Sequence, residues 1–443
     1  VNKMKIYIET LGCSKNLVDS EIMTNLFTKN QHRIVLDPEI ADIIVVNTCG
    51  FIEDAKKESI DEIFNLAQLK KDGNCKKLIV TGCLSERYSE TLAKEIPEVD
   101  AFLGTTTFQN IIKVVDQLLG DETQFVNVGN IDEMIYDHAN RELLTPSHFA
   151  YVKIAEGCDN KCTYCIIPKL RGKFRSRKME DIVDEVKGLL AKGVKEVILI
   201  AQDTARYGID LYDAYKLAEL LNRLGKIKDL KWIRIQYAYP DVIDHELINE
   251  IRDNDKVVKY LDIPIQHGND EILKRMNRKI TVSEIESLIN ELRNKIEDIV
   301  IRTTLIVGFP GETEEQFNDL YNFVEKISFD RLGVFAYSDE EDTPAYELTD
   351  KIPQELKEER RKKIMMLQKD ISEEKNQSKI DQVFEVLIEE KLENENIYLG
   401  RTAYDSPEID GIVYVHTDDE LEIGSFVDVT ITGALEYDLL GDC

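Results

Sequence analysis

Cys158, Cys162 and Cys165 form a C-x3-C-x2-C pattern. Three thiolates this close can each hold one iron of a [4Fe–4S] cluster, and soft sulfur ligands favour iron–sulfur chemistry over hard cations. The fourth iron then has no protein ligand, and an open position on a metal is where a reactant enters. A structural zinc ion would instead require a fourth Cys or His, and none stands between Cys158 and Arg177. Just beyond, Arg171, Arg175 and Arg177 read either as ligands for a carboxylate or as a solvated basic run.

A second set lies near the start of the chain. Cys13, Cys49 and Cys83 each follow a short strand-like run by one to three residues: Ile6 to Thr10, Ile43 to Val46, and Leu78 to Val80. Open α/β sheets bind ligands beyond the carboxyl ends of their strands. Neighbouring strands are about 4.8 Å apart, so three such thiols can converge on one cluster. Cys75 precedes its strand and Cys443 ends the chain, so both read as bystanders.

The elements that must position these residues follow from hydrophobic periodicity. Strand, helix, strand, helix, strand over residues 5–80 predicts a parallel α/β domain with right-handed crossovers. Residues 132–146 are polar and aperiodic and read as a linker. From Tyr151, six strand signals alternate with amphipathic helices, at 152–154, 197–200, 232–235, 260–263, 299–302 and 331–334. That series predicts a partial or full (β/α) barrel with its chemistry at the strand carboxyl ends. A charged helix over Gln354 to Lys375 closes it, and three strand-like runs at 384–388, 411–415 and 426–431 predict a small antiparallel β-barrel. The expected domains are 1–140, 141–375 and 376–443.

The cysteine loop after the first barrel strand resembles that of the radical S-adenosylmethionine (SAM) superfamily. The resemblance implies that SAM chelates the open iron and is cleaved reductively to a 5′-deoxyadenosyl radical. It also implies that Tyr164, before the last cysteine, sits where backbone meets adenine. Gly308-Phe309-Pro310-Gly311-Glu312 resembles the glycine motif on the SAM side, so Gly308 and Gly311 are expected there. Gln202 with Asp203, and Gln266 with His267, end barrel strands and are expected to face the same site.

A three-cysteine domain, a radical SAM barrel and a small β-domain together resemble the methylthiotransferases across nearly the whole chain. The family pattern implies two [4Fe–4S] clusters, an auxiliary one on the first domain and a radical one in the barrel. It implies two SAM molecules per product, one as methyl donor and one as radical source, and a last domain of the TRAM type that meets the macromolecular substrate. Thr10-Leu11-Gly12-Cys13-Ser14-Lys15-Asn16-Leu17-Val18-Asp19-Ser20-Glu21 resembles the branch that modifies the β-carbon of an aspartate in protein twelve of the small ribosomal subunit. Ile301-Arg302-Thr303-Thr304 and the run from Ala403 to Gly411 do so too. The alternative is the branch that modifies adenosine in transfer RNA. An iron–sulfur carrier would need neither an open iron nor a SAM motif.

Charge bears on the partner. The chain has 85 Asp plus Glu against 56 Lys plus Arg, a net charge of -29. From Asn376 to Cys443, 17 acidic residues face 3 basic ones, a net of -14. Nucleic-acid binding is driven mainly by cationic side chains that release counterions, so transfer RNA is not expected to bind this region. A basic ribosomal protein is. No apolar run reaches the roughly 18 residues of a membrane span, and no basic-then-apolar leader opens the sequence. The expected compartment is the cytoplasm, where cysteines serve as ligands or free thiols rather than disulfides.

Overall fold

The computed structural model describes residues 3–120, 124–133, 141–393 and 396–443. Part of the expected linker, 134–140, and with it the expected boundary at residue 140, lie outside these residues. The chain divides into two compact units. The first comprises Val1–Thr145, Tyr151–Gly188 and Ser338–Tyr346; the second comprises Pro146–Ala150, Leu189–Tyr337 and Glu347–Cys443. Residues 158–165, expected in the barrel domain, thus group with the N-terminal segment.

The first unit is built on a six-stranded parallel sheet. Its strands are β1 (Lys5–Thr10), β2 (Arg33–Ile34), β3 (Ile43–Thr48), β4 (Lys77–Gly82), β5 (Ala101–Leu103) and β6 (Phe125–Asn127), in the order β2-β1-β3-β4-β5-β6. Helices α1 (Ser14–Lys29), α2 (Glu53–Asp72), α3 (Cys83–Glu95) and α4 (Ile111–Leu119) connect them. Ile43 to Val46 are fully buried, as expected of a strand covered on both faces. Each such side chain contributes roughly 1.5–3 kcal/mol through burial. The short strands β2, β5 and β6 lack a long apolar run and were not predicted.

The same unit continues with β7 (Phe149–Lys153), β8 (Ala155–Glu156), α5 (Ile167–Arg171), β9 (Arg175–Ser176) and α6 (Met179–Leu190), with β8 and β9 antiparallel. Residues 141–145 are not a loose linker. Arg141 is buried and pairs with both Glu21 and Glu185. The segment Ser338–Tyr346 is held in this unit by Glu340, which accepts Lys56 Nζ at 3.1 Å and Arg87 Nη1 at 2.8 Å.

The second unit carries the rest of the (β/α) series. It runs β10 (Glu196–Ile200), α7 (Ile209–Tyr212), α8 (Leu217–Gly225), β11 (Trp232–Ile235), α9 (His245–Asp253), β12 (Val257–Asp262), α10 (Asp270–Arg275), α11 (Val282–Lys295), β13 (Val300–Val307), α12 (Glu314–Ile327) and β14 (Arg331–Ala336). The strands pair in parallel from β10 to β14. The sheet order is β14-β13-β12-β11-β10-β7, with the first two residues of β7 in this unit, so the barrel is partial rather than closed. Capping boxes at Thr281 with Glu284 and at Thr313 with Gln316 start α11 and α12 cleanly.

After α13 (Gln354–Gln377) come β15 (Val383–Lys391), β16 (Ile397–Thr402), β17 (Val413–His416), β18 (Phe426–Ala434) and β19 (Leu439–Asp442). They close a barrel in the order β15-β16-β17-β19-β18 around Val386, Ile388, Tyr398, Val413, Val415, Val429 and Ile431. One pairing, β17 with β19, is parallel, against the all-antiparallel expectation. Buried ion pairs seat this barrel on the larger sheet. Arg401 reaches Glu196 at 2.6 Å, Arg302 reaches Asp410 at 2.6 Å, and Arg331 pairs with Asp405. Glu196 and Arg331 open their strands, so the small barrel sits at the amino ends, opposite the carboxyl ends where chemistry is expected.

Candidate active site

In unit one, β1, β3 and β4 are adjacent and in register, Thr10 beside Asn47 and Thr48 beside Gly82. Their carboxyl ends therefore stand side by side, and Cys13, Cys49 and Cys83 follow them directly. Cys13 is the N-cap of α1, and Cys83 is the first residue of α3. Two left-handed glycines make these turns. Gly12 (φ +91) passes so close that a Cβ would lie 2.7 Å from Cys49 Cβ, and one at Gly82 (φ +94) would lie 2.4 Å from the Thr48 carbonyl oxygen. Only glycine tolerates both the angle and the contact.

Cys13 is exposed, while Cys49 and Cys83 are buried. Burial pushes the Cys49 thiol up to about 12, and the neighbouring thiols of Cys83 and Cys13 add to the effect. Burial raises Cys83 as well, against the opposing guanidinium of Arg171. The three sulfurs are thus close enough to feel one another. Among the described residues, no three Cys, His, Asp or Glu side chains stand grouped as ligands of a single ion. Thiolates on a polynuclear cluster each bind a different iron and so stand farther apart than ligands sharing one ion. Three convergent soft donors beside a buried cation fit an anionic iron–sulfur cluster.

Cys158, Cys162 and Cys165 lie on the loop between β8 and α5, also in unit one. The loop closes at its neck through Cys158 N–H to the Gly172 carbonyl at 3.0 Å, and inside it Cys165 N–H donates to the Cys162 carbonyl at 3.1 Å. Ala345 N–H holds the Thr163 carbonyl at 2.9 Å. Cys162 is buried; Cys158 and Cys165 are half-buried, as is Tyr164. The donor set fits a cluster with one open iron. Helix α5 begins two residues after Cys165 and is packed through Ile166 and Leu170 against Cys83. One short helix is therefore built into both cysteine sites.

The arginines after this loop are neither a solvated run nor free for a carboxylate. Arg171 is buried and donates to Asn16 Oδ1 at 2.5 Å and Asp19 Oδ2 at 2.9 Å. Arg177 is buried against Glu185 at 2.6 Å, and Arg175 donates to the carbonyls of Arg171 and Lys173. Asn16, Asp19, Lys153 and Glu156 complete this buried network, with Lys153 Nζ reaching Asp19 at 2.5 Å and Glu156 at 3.0 Å. None of the four was singled out for a site from sequence, although a lysine inside the strand signal at 152–154 was the available clue.

In unit two, Gln202, Gln266, His267, Gly308 and Gly311 all follow the carboxyl ends of strands. Gln266 is held in the left-handed region (φ 77) by main-chain hydrogen bonds to Thr304 and Ile306 at 2.9 and 2.8 Å. For a residue with a side chain this costs roughly 1–2 kcal/mol, and such strain clusters at functional sites. His267 is fully buried, and its ring nitrogens meet Glu312 Oε2 at 3.2 Å and Asn269 N–H at 3.1 Å. Glu312 Oε2 also accepts Gly308 N–H at 2.9 Å, and Glu312 Oε1 accepts Arg360 at 2.7 Å. The histidine therefore braces the glycine motif. Gly311 (φ +77) adopts a left-handed angle that favours glycine, beside the Arg275–Asp350 ion pair. Asp203 is spent on Arg206 Nε at 3.0 Å and Tyr239 N–H at 3.3 Å.

A partial parallel barrel and a C-x3-C-x2-C loop ahead of a glycine motif define a radical SAM enzyme. The radical SAM superfamily model matches residues 152–324, the model of uncharacterized protein family UPF0004 matches 5–104, and the TRAM domain model matches 380–443. The fold is similar to that of TsrM, a radical SAM methyltransferase from Kitasatospora setae with cobalamin and a [4Fe-4S] cluster bound (TM-score 0.55, 12% identity, 78% of this chain and 74% of that one). At full length the chain is 55% identical to the ribosomal protein uS12 methylthiotransferase RimO of Clostridioides difficile, covering 99% of this chain and 98% of that protein. It is 51% identical to that of Desulforamulus reducens over 98% of each. The chain belongs to the RimO family of methylthiotransferases. It is a transferase, and its cofactors are SAM and [4Fe–4S] clusters. No helix among the described residues is long and apolar enough to cross a membrane.

Proposed function

We infer that this chain adds a methylthio group to the β-carbon of an aspartate in ribosomal protein uS12, in the cytoplasm. Cys158, Cys162 and Cys165 hold the cluster that engages SAM, and Cys13, Cys49 and Cys83 hold an auxiliary cluster. The observation that carries this reading is the convergence of the second set at one sheet end, in a chain matched over its full length by uS12 methylthiotransferases. When bound, the two clusters and two molecules of SAM supply electrons, a 5′-deoxyadenosyl radical, sulfur and a methyl group. The protein's own part is to hold six thiolates in two fixed sets and to brace the strand ends. Tyr164, Gln202, Gln266, Gly308 and Gly311 are assigned to SAM, with His267 acting through Glu312 on the Gly308 backbone.

The acidic β-barrel is assigned to a basic protein partner. Asp418, Asp419, Glu420 and Glu422 are exposed in the turn between β17 and β18. Opposite charge speeds encounter and rejects like-charged competitors, and salt screens it with a Debye length of about 8 Å at physiological ionic strength. Binding to uS12 is expected to weaken as salt rises, and reversing these four charges to lysine should lower affinity while SAM cleavage persists. Fluorescence anisotropy across a salt series measures this. Unchanged affinity in the variant would reduce the turn to a solvated surface, and tight binding of transfer RNA would favour the other branch. The turn lies on the barrel seated at the strand amino ends, so a partner touching both it and the carboxyl ends must span a strand length of roughly 17–20 Å.

A further inference from the structure

Asn16 is fully buried in the first turn of α1, where an asparagine gains little from helix propensity. Its side chain touches the loops of Cys13, Cys49 and Cys83. Nδ2 donates to the Leu11 carbonyl, two residues before Cys13, at 2.9 Å. The same nitrogen donates to the Thr48 carbonyl, immediately before Cys49, at 3.0 Å. Oδ1 lies 4.0 Å from the sulfur of Cys83. Asn47, on β3, closes the pattern by donating to the Asn16 main-chain carbonyl at 2.8 Å.

The orientation of this amide is not free. Arg171 Nη2 donates to Asn16 Oδ1 at 2.5 Å. A guanidinium has donors only, so the oxygen must face it and the amide nitrogen must face the two carbonyls. Arg171 is itself fixed by Asp19 at 2.9 Å and Glu156 at 3.4 Å. It ends α5, the helix that starts two residues after Cys165. A continuous hydrogen-bonded path therefore runs from the loop of Cys158, Cys162 and Cys165 to the loops of Cys13, Cys49 and Cys83.

We propose that Asn16 is the positioning residue that sets the spacing of Cys13, Cys49 and Cys83, and that Arg171 locks its amide so that the two cysteine sites are held as one piece. This rests on the reading that those three thiols hold a cluster. Asn16 acts through the Leu11 and Thr48 carbonyls and is not a cluster ligand. An aspartate in its place fills the same volume, but its carboxylate faces two carbonyl oxygens and repels them. Alanine removes both tethers and leaves a void.

The test is anaerobic reconstitution of the full chain with ferrous iron and sulfide, read by iron content and by electron paramagnetic resonance of the reduced clusters. Wild type should hold about eight irons and Asn16→Asp and Asn16→Ala about four, by thiolate-cluster stoichiometry, with the signal of Cys13, Cys49 and Cys83 lost and that of Cys158, Cys162 and Cys165 kept. Cys75→Ala, which opens a void in the core of the same sheet, should keep both signals and so separates mere destabilisation from positioning. Folded Asn16 variants with two unaltered signals would overturn the proposal. If those variants do not fold, Arg171→Lys decides: it keeps the charge and loses the fork, so an altered auxiliary signal supports the lock and an unaltered one refutes it. A single cluster in wild type would instead overturn the assignment of Cys13, Cys49 and Cys83, a distinguishable result.

Discussion

Replacing Cys158, Cys162 and Cys165 with alanine should abolish formation of 5′-deoxyadenosine, whereas replacing Cys13, Cys49 and Cys83 should leave it and stop the methylthio product. The two sets occupy different surroundings, which is why their losses differ. The first lies on a loop pinned at its neck by Cys158 and Gly172, with two of its three thiols half-buried, and three thiolates there would leave one iron of a bound [4Fe–4S] cluster open for SAM. The second is recessed at a sheet end, with Cys49 and Cys83 buried beside Arg171. Each triple variant should lose about half of the iron, about four atoms of about eight. Liquid chromatography of 5′-deoxyadenosine after reduction with dithionite separates the cases. Reductive cleavage that survived loss of Cys158, Cys162 and Cys165 would show that these residues are not the radical site.

The second large effect is on stability. Glu196 is fully buried between Arg234 Nε at 2.7 Å and Arg401 Nη2 at 2.6 Å. Burial works to raise its carboxyl, yet Arg401 and Arg234 hold it below the usual carboxylate range. Glu196→Ala would leave two buried guanidiniums short of their shared anion, and breaking a buried pair this way costs about 3–5 kcal/mol. Because the folded-state value is depressed, this contribution is present above the unfolded value of about 4.3 and fades as pH falls through the folded value. Urea denaturation at neutral pH measures the loss. A change under about 1 kcal/mol would mean that the guanidiniums regain partners, such as Glu389 for Arg401, and are not left as uncompensated buried charges.

What was legible in the sequence was whatever local pattern encodes. Cys13, Cys49 and Cys83 each follow an apolar run, so their places past β1, β3 and β4 could be read without tertiary knowledge. The helix expected over 354–375 is there because its composition favours it at every turn. What failed depends on partners distant in sequence. Arg171 looked like part of a basic run, yet its partners Asn16 and Asp19 are 155 and 152 residues away. Arg141 sits in a polar stretch that reads as linker, yet Glu21 and Glu185 bury it. His267 stood at a strand end as a ligand would, but Glu312, 45 residues on, claims its ring. The run from Ala403 to Gly411 was recognisable as a motif, but not as the segment whose Asp405 and Asp410 meet Arg331 and Arg302 at the foot of the large sheet.

The measurement that bears most directly on the function is mass spectrometry of both candidate substrates after one anaerobic reaction. Purified enzyme with both clusters reconstituted is supplied with SAM, sulfide, reductant, ribosomal protein uS12 and transfer RNA. A uS12 peptide should gain the mass of one methylthio group, with fragmentation placing it on an aspartate, and the transfer RNA nucleosides should be unchanged. Methylthiolated adenosine with unmodified uS12 would contradict the assignment to uS12.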